Sequence, residues 1–496
     1  MSDMSQKSIT EKIKEVGLHS AVFGLGSVAQ VAAQFIQIPI LTSAFPTKTF
    51  GIYSLIQMSA TIASAVLYLG MTSAMPRSYF DYQDERDRRG VFSTAFYILL
   101  IGACVQILVG MAFGRQISFL LMRHDSYGGE VAIALTGGAI SFINQYLFVY
   151  LRFQRKSLLS VALSIVTLLG TIGLTMILLE LRPAGISAPL IAVLASQAAV
   201  LAILLISFSR GVFTIHIIPR EILTLIKFGL PTLLTSVAVM LIDWSDRIII
   251  ERYLSLGDVG IYSLGIKLGS VVNILLIIPF TQIWSVVMIE YRNDTNSREL
   301  FTKITSYFFL AGTFLITCAA FWGFDLLKLI VRNKDYLSSM PIMILAATSL
   351  LVYGLTNIVS AGLIYSRRIS IFTAVYFMVA VLKIGMNMLT IPAFGIMGAA
   401  GVNLVISCII PAAIYIFARK DFVIEFDWPR LLKMTGFIAL GLGYALLPQF
   451  TGRTSLAMKI PLFVLVLCAL FFAATASDER KVLERTIRNI RTRNAQ

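Results

Sequence analysis

The stretch LIDWSDRIII places two carboxylates and a guanidinium, Asp243, Asp246 and Arg247, within five consecutive positions of an otherwise apolar run. Ionisable side chains at such depth are costly and ordinarily face a cavity or a partner. A carboxylate there suits proton or cation coupling, which makes Asp243 and Asp246 candidates for that role. The structural alternative is that Asp243 and Arg247, at i and i+4, neutralise each other at the interface. Lys267 and Lys383 interrupt two further apolar runs. Turned toward an aqueous interior, Lys267, Lys383 and Arg247 would compensate an anionic group such as a diphosphate. Either lysine can instead snorkel to a membrane surface, which is harder for Lys383 because it lies deeper in its run. Arg77 and Arg152, at the ends of their runs, can receive an anionic headgroup or simply orient the chain. Gln30, Gln34 and Gln37 are spaced to fall on one helical stripe.

No metal, cofactor or nucleotide chemistry is expected. The four cysteines lie inside apolar runs without a CxxC motif, and the three histidines are far apart. No GxxxxGK[ST] loop is present, which disfavours ATP hydrolysis by this chain. The opening MSDMSQKSITEKIKEVG is polar and mildly basic, without a cleavable signal pattern.

The elements that must carry these residues follow from composition. Hydrophobic residues make up 57% of the chain and charged residues 14%. A soluble domain carries roughly 25% charge, so this is a polytopic, all-α integral membrane protein. Its net charge of +15 fits topology and anionic headgroups better than nucleic acid. About 20 apolar residues cross the hydrocarbon core. Read with that ruler, the sequence predicts fourteen spans, near 20–42, 50–73, 91–113, 131–151, 158–179, 186–208, 222–248, 260–288, 302–324, 341–364, 369–391, 396–418, 431–450 and 456–476. Of the 41 Lys and Arg, 28 fall on one set of alternate segments, both termini included, and 11 on the other. That bias predicts cytoplasmic termini.

The chain also repeats itself. FGIYSL, from Phe50, returns as VGIYSL, from Val259, an offset of 209. Gly185-Ile186 returns as Gly395-Ile396, an offset of 210. Both matches open a span. The expected organisation is a cytoplasmic N-terminus (1–19), an N-terminal lobe (20–220), a C-terminal lobe (221–425), an extra helix pair (426–476) and a basic amphipathic tail (477–496). Two six-helix lobes of equal orientation form a parallel repeat, with a cavity between them that opens alternately to either side. The repeat maps Asp243 and Asp246 onto Gln34 and Gln37, so the polar stripe is acidic in one lobe and neutral in the other.

The run DRIIIERYLSLGDVGIYSLGIKL, with FGIYSL, YLRFQRKS and FGIMGAAGVN, resembles the polysaccharide-transporter branch of the multidrug/oligosaccharidyl-lipid/polysaccharide exporter superfamily, the Wzx-type repeat-unit flippases. The resemblance covers nearly the whole chain. It implies a bacterial inner-membrane protein that turns over an undecaprenyl-diphosphate-linked oligosaccharide by alternating access, coupled to an ion gradient, for O-antigen, capsule or exopolysaccharide synthesis. Asp246 and Arg247 match the family's Asp-Arg motif, and Gly260, Tyr262 and Lys267 its following Gly-x-Tyr…Lys pattern. The chain is expected to act as a monomer, with the lipid-linked glycan and the bilayer as partners and a polysaccharide polymerase/chain-length complex as a candidate third. A lipid II flippase and a multidrug antiporter share the fold. A membrane glycan polymerase is the rival from a different class, and the short outward segments near 114–130 and 325–340 fit it poorly.

Overall fold

The computed structural model describes residues 35–154, 156–181, 185–208, 217–292, 297–366, 368, 370–446 and 456–474. Among them there is no strand, and ten helices are long and apolar enough to cross a membrane. With water absent from the bilayer core, a helix satisfies its backbone polar groups internally, which is why apolar runs of this length fold this way.

In chain order the helices are α1 (Phe35–Ala44), α2 (Thr47–Leu67), α3 (Met71–Asp81), α4 (Glu85–Met122), α5 (Gly128–Phe153), α6 (Ser157–Leu181) and α7 (Ser187–Phe208). There follow α8 (Pro219–Tyr253), α9 (Leu256–Gly269), α10 (Ile278–Glu290), α11 (Ser297–Ile330), α12 (Met340–Val359), α13 (Ala361–Tyr365), α14 (Ser370–Ala418), α15 (Trp428–Leu446) and α16 (Leu456–Ala474). The 49-residue α14 holds the expected spans 369–391 and 396–418 in one piece, bent at Gly395 (φ 60°, ψ −148°). Its repeat mate Gly185 has φ 55°. A left-handed backbone favours glycine, so the second sequence match marks one bend made twice.

The second span of each repeat is also interrupted at corresponding places. Leu69 (φ 52°) and Gly70 (φ 65°) separate α2 from α3. At 209 residues further on, Ile278 follows a π-helical turn, Asn273–Ile277, and Pro279 opens α10. π-Turns of this kind are rare and often mark functional sites.

Helices α15 and α16 cover the expected extra pair and pack on α11. Tyr444 stacks on Phe321 with ring centroids 4.6 Å apart, and Phe463 lies 5.4 Å from the same ring. The buried Lys459 reaches Asp325 at 2.6 Å.

Candidate functional site

The two repeats meet through their second helices. A Cβ placed on Gly51 would stand 1.9 Å from the carbonyl oxygen of Leu256. One placed on Gly260 would stand 2.0 Å from that of Thr47. Since 256 and 260 are 47 and 51 shifted by 209, these contacts are mirror copies of one another across a pseudo-two-fold axis, as at an isologous interface. One turn further along, Ser54 Oγ donates to Ser263 Oγ at 2.8 Å, and these residues too are 209 apart. Helix axes come this close only where side chains are absent or small. Cysteines at 54 and 263 should form a disulfide across the seam in a background lacking the native thiols, since the two hydroxyl oxygens already touch. The expected result is protection of both positions from a maleimide under oxidising conditions, reversed by reductant.

At the opposite end of α2, Gly70 and Gly229 meet backbone to backbone. The Tyr82 hydroxyl donates to Glu221 Oε1 at 2.9 Å, and Ile218 N donates to Thr94 Oγ1 at 3.1 Å. The hydrogen bond to Glu221 raises the Tyr82 phenol above its ordinary pKa. Arg77 lies exposed at this end, its guanidinium 4.1 Å from the Phe228 ring. The lobes therefore touch at both ends of the bundle.

Between these ends, α8 and α9 bring the candidate charges together. Positions 260, 263 and 267 of α9 fall on one face, the face that meets α2. Lys267 thus stands on the inter-lobe side, one turn beyond Ser263. It is half-buried, and among the described residues its ammonium has no hydrogen-bond or ion-pair partner. Arg247 is buried. Its Nε donates to Ser263 Oγ at 3.1 Å and its guanidinium lies 4.3 Å from the Trp244 ring. The expected neutralisation of Asp243 by Arg247 is not made side chain to side chain: Arg247 Nη1 donates instead to the backbone carbonyl of Asp243, at 2.9 Å. The Asp243 carboxylate is left exposed, without a hydrogen-bond or ion-pair partner among the described residues.

Asp246, one turn further along α8 than Asp243, is buried within its own lobe. Lys383 from α14 lies 2.8 Å from its Oδ1 and 3.0 Å from its Oδ2, and also donates to the carbonyl of Ile242. Asn387 Nδ2 donates to Oδ1 at 2.8 Å, Asn403 Nδ2 to Oδ2 at 3.0 Å, and the Tyr262 hydroxyl to Oδ2. Asp246 and Lys383 are each 1% exposed and Asn387 and Tyr262 0%, with the half-buried Asn403 at the edge of this polar knot. Each charge has its counter-charge inside it, as burial demands. Lys383 is therefore packed within the lobe and does not line the seam.

The corresponding N-terminal positions are Gln37 and Tyr53, offset by 209 from Asp246 and Tyr262. Gln37 is buried, and the Tyr53 hydroxyl accepts from Gln57 at 2.8 Å. Among the described residues the knot is built in the C-terminal lobe alone. Of the other expected residues, Gln30 and Gln34 lie outside the described residues. Arg152 has its backbone in α5, and its side chain is likewise not described. Asn387 and Asn403 were missed from sequence. The signal for Asn387 was its i+4 spacing from Lys383, and that for Asn403 its place in FGIMGAAGVN.

The first 285 residues carry the decisive likeness: residues 19–285 match the family model described as polysaccharide biosynthesis protein. The chain belongs to that family. Its fold is that of the MurJ and MATE transporters. Over 96% of this chain and 100% of the other, this polysaccharide biosynthesis family member aligns with the lipid II flippase MurJ in an inward closed conformation, at 15% identity and a TM-score of 0.70. A multidrug resistance MATE family transporter in its inward-facing conformation aligns over 84% and 96% of the two chains, at 14% identity and a TM-score of 0.64. A Vibrio cholerae MATE transporter follows with 83% and 97% coverage, 16% identity and a TM-score of 0.57. No curated protein sequence matches this polysaccharide biosynthesis family member.

Proposed function

We propose that this chain is a flippase that carries an undecaprenyl-diphosphate-linked oligosaccharide from the cytoplasmic to the periplasmic leaflet of the inner membrane by alternating access. The observation that carries this reading is the ammonium of Lys267 on the inter-lobe face, without a partner among the described residues and one turn from Ser263, which the buried Arg247 guanidinium contacts. An uncompensated cation inside a membrane protein is costly, and a doubly anionic headgroup arriving in the seam would relieve that cost. The sugar and diphosphate cannot cross hydrocarbon unaided, whereas the polyprenyl tail can remain in an apolar environment throughout. A cavity of about 570 Å³ between the Asn273–Ile277 turn, α11 and α16, lined by Leu276, Tyr307, Leu310, Phe314, Leu467 and Phe471, offers such an environment.

The asymmetry of Lys and Arg puts the Gly51–Gly260 contact on the periplasmic side and the Gly70–Gly229 contact on the cytoplasmic side. Transport then consists of parting these two contacts in turn. Asp243, exposed and one turn before Arg247, is the carboxylate we assign to ion coupling, because Asp246 is committed to Lys383. Arg77, exposed at the cytoplasmic mouth, is suited to first contact with the diphosphate.

Deletion of the gene should abolish a surface polysaccharide, and the wild-type gene should restore it. Lys267→Ala should lower export at least roughly tenfold, the worth of one charge-assisted contact of about 1.5–3 kcal/mol, while Lys267→Arg retains most of it. Protein levels in the membrane should be unchanged in both. Normal export by Lys267→Ala would overturn the assignment of the site. Lysis on depletion, with the surface glycan intact, would instead indicate a lipid II flippase, and gain of drug sensitivity alone a multidrug antiporter.

A further inference from the structure

The knot around Lys383 is an oxygen cage with an ammonium inside it. Three acceptors surround Nζ: both carboxylate oxygens of Asp246 and the carbonyl oxygen of Ile242. They match the three donors of an ammonium group. A second shell of oxygens stands ready. The Tyr262 hydroxyl and the Asn403 amide touch Asp246 Oδ2, and the Asn387 amide touches Oδ1. Asn387 Oδ1 is buried and has no hydrogen-bond partner among the described residues, although a buried carbonyl ordinarily finds a donor. With a cation between them and the carboxylate, either amide can turn its oxygen inward in place of its N–H. A carboxylate, a helix carbonyl, a phenol and two amide oxygens are the hard-donor set that a small cation takes. The lysine stem brings the positive charge in from α14, so that no dissolved ion is required for neutrality.

We propose that Lys383 is a covalently tethered cation occupying what is otherwise a monovalent-cation site, and that removing its ammonium converts the knot into a Na⁺ site. In the native chain the charge of Asp246 is balanced permanently, and the knot binds no free ion. With methionine at 383 the stem keeps its packing, the carboxylate is left alone in a buried site, and the cage admits Na⁺.

The test uses the purified full-length protein and thermal unfolding in NaCl against equimolar choline chloride. With lysine at 383, no Na⁺-specific shift should survive Asp243→Asn, which removes the other candidate carboxylate. Lys383→Met should unfold well below wild type in choline and gain about 2 °C or more in NaCl, a shift that grows with Na⁺ concentration as mass action requires. The neutral pair Asp246→Asn/Lys383→Met should fold and lose the Na⁺ response. Lys383→Gln serves as the single variant if the methionine form is not recovered. Na⁺-specific stabilisation that persists in Asp243→Asn would overturn the proposal. So would single variants that behave alike in both salts, or that are recovered in neither while the neutral pair folds. Stability is the readout, so the outcome does not depend on whether the chain flips a glycan.

Discussion

Asp246→Asn is expected to destabilise the protein by about 3–5 kcal/mol, the cost of removing one partner from a buried ion pair. The substitution keeps the shape of the side chain and removes only its charge, stranding the Lys383 ammonium at 1% exposure. Three further donors lose a charged acceptor at the same time, because Asn387, Asn403 and Tyr262 all point at this carboxylate. Replacing both partners, as Asp246→Asn/Lys383→Met, should recover most of the loss, since a neutral pair of similar volume no longer requires compensation. The measurement is thermal unfolding of the purified single and double variants in one detergent. A double variant as unstable as the sum of the two singles would show that the pair does not interact as drawn.

Gly260→Ala, and separately Gly51→Ala, should abolish export while leaving the protein in the membrane. Alanine is the better helix former by about 1 kcal/mol, so each helix on its own gains from the change. The new methyl group, however, would lie 2.0 Å from the Thr47 carbonyl oxygen in one case and 1.9 Å from that of Leu256 in the other. Neither backbone can give way without parting α2 from α9, so this end of the seam is held open. The check is surface polysaccharide together with maleimide labelling of a cysteine at 54, which should become reactive in the Gly260→Ala background. Normal export with an unreactive cysteine would show that the contact is not a gate.

The features that could be read from sequence are those in which local geometry restricts the residue type. Gly51 and Gly260 had to be glycines because two backbones touch there, and Gly185 and Gly395 because the chain bends with positive φ. The repeat therefore survived at those positions when most others had diverged. Apolar length likewise identified the all-helical membrane fold, with ten helices among the described residues long enough to cross where fourteen spans were expected. Charge inside those spans marked Asp243, Asp246, Arg247, Lys267 and Lys383 as exceptional, and all five are placed where an ionisable group needs an explanation.

What each exception faces could not be read from its own helix. Asp246 and Lys383 stand 137 positions apart and neutralise each other only because α8 and α14 pack side by side. Asp243, one turn before Asp246 on the same face of α8, is nevertheless exposed. One turn of a helix separates a covered position from an open one, and spacing alone does not say how far the neighbouring helices reach. Tertiary packing decided that Lys383 is a counter-ion and that Lys267 has no partner among the described residues, whereas the sequence by itself determined that both had to be accounted for.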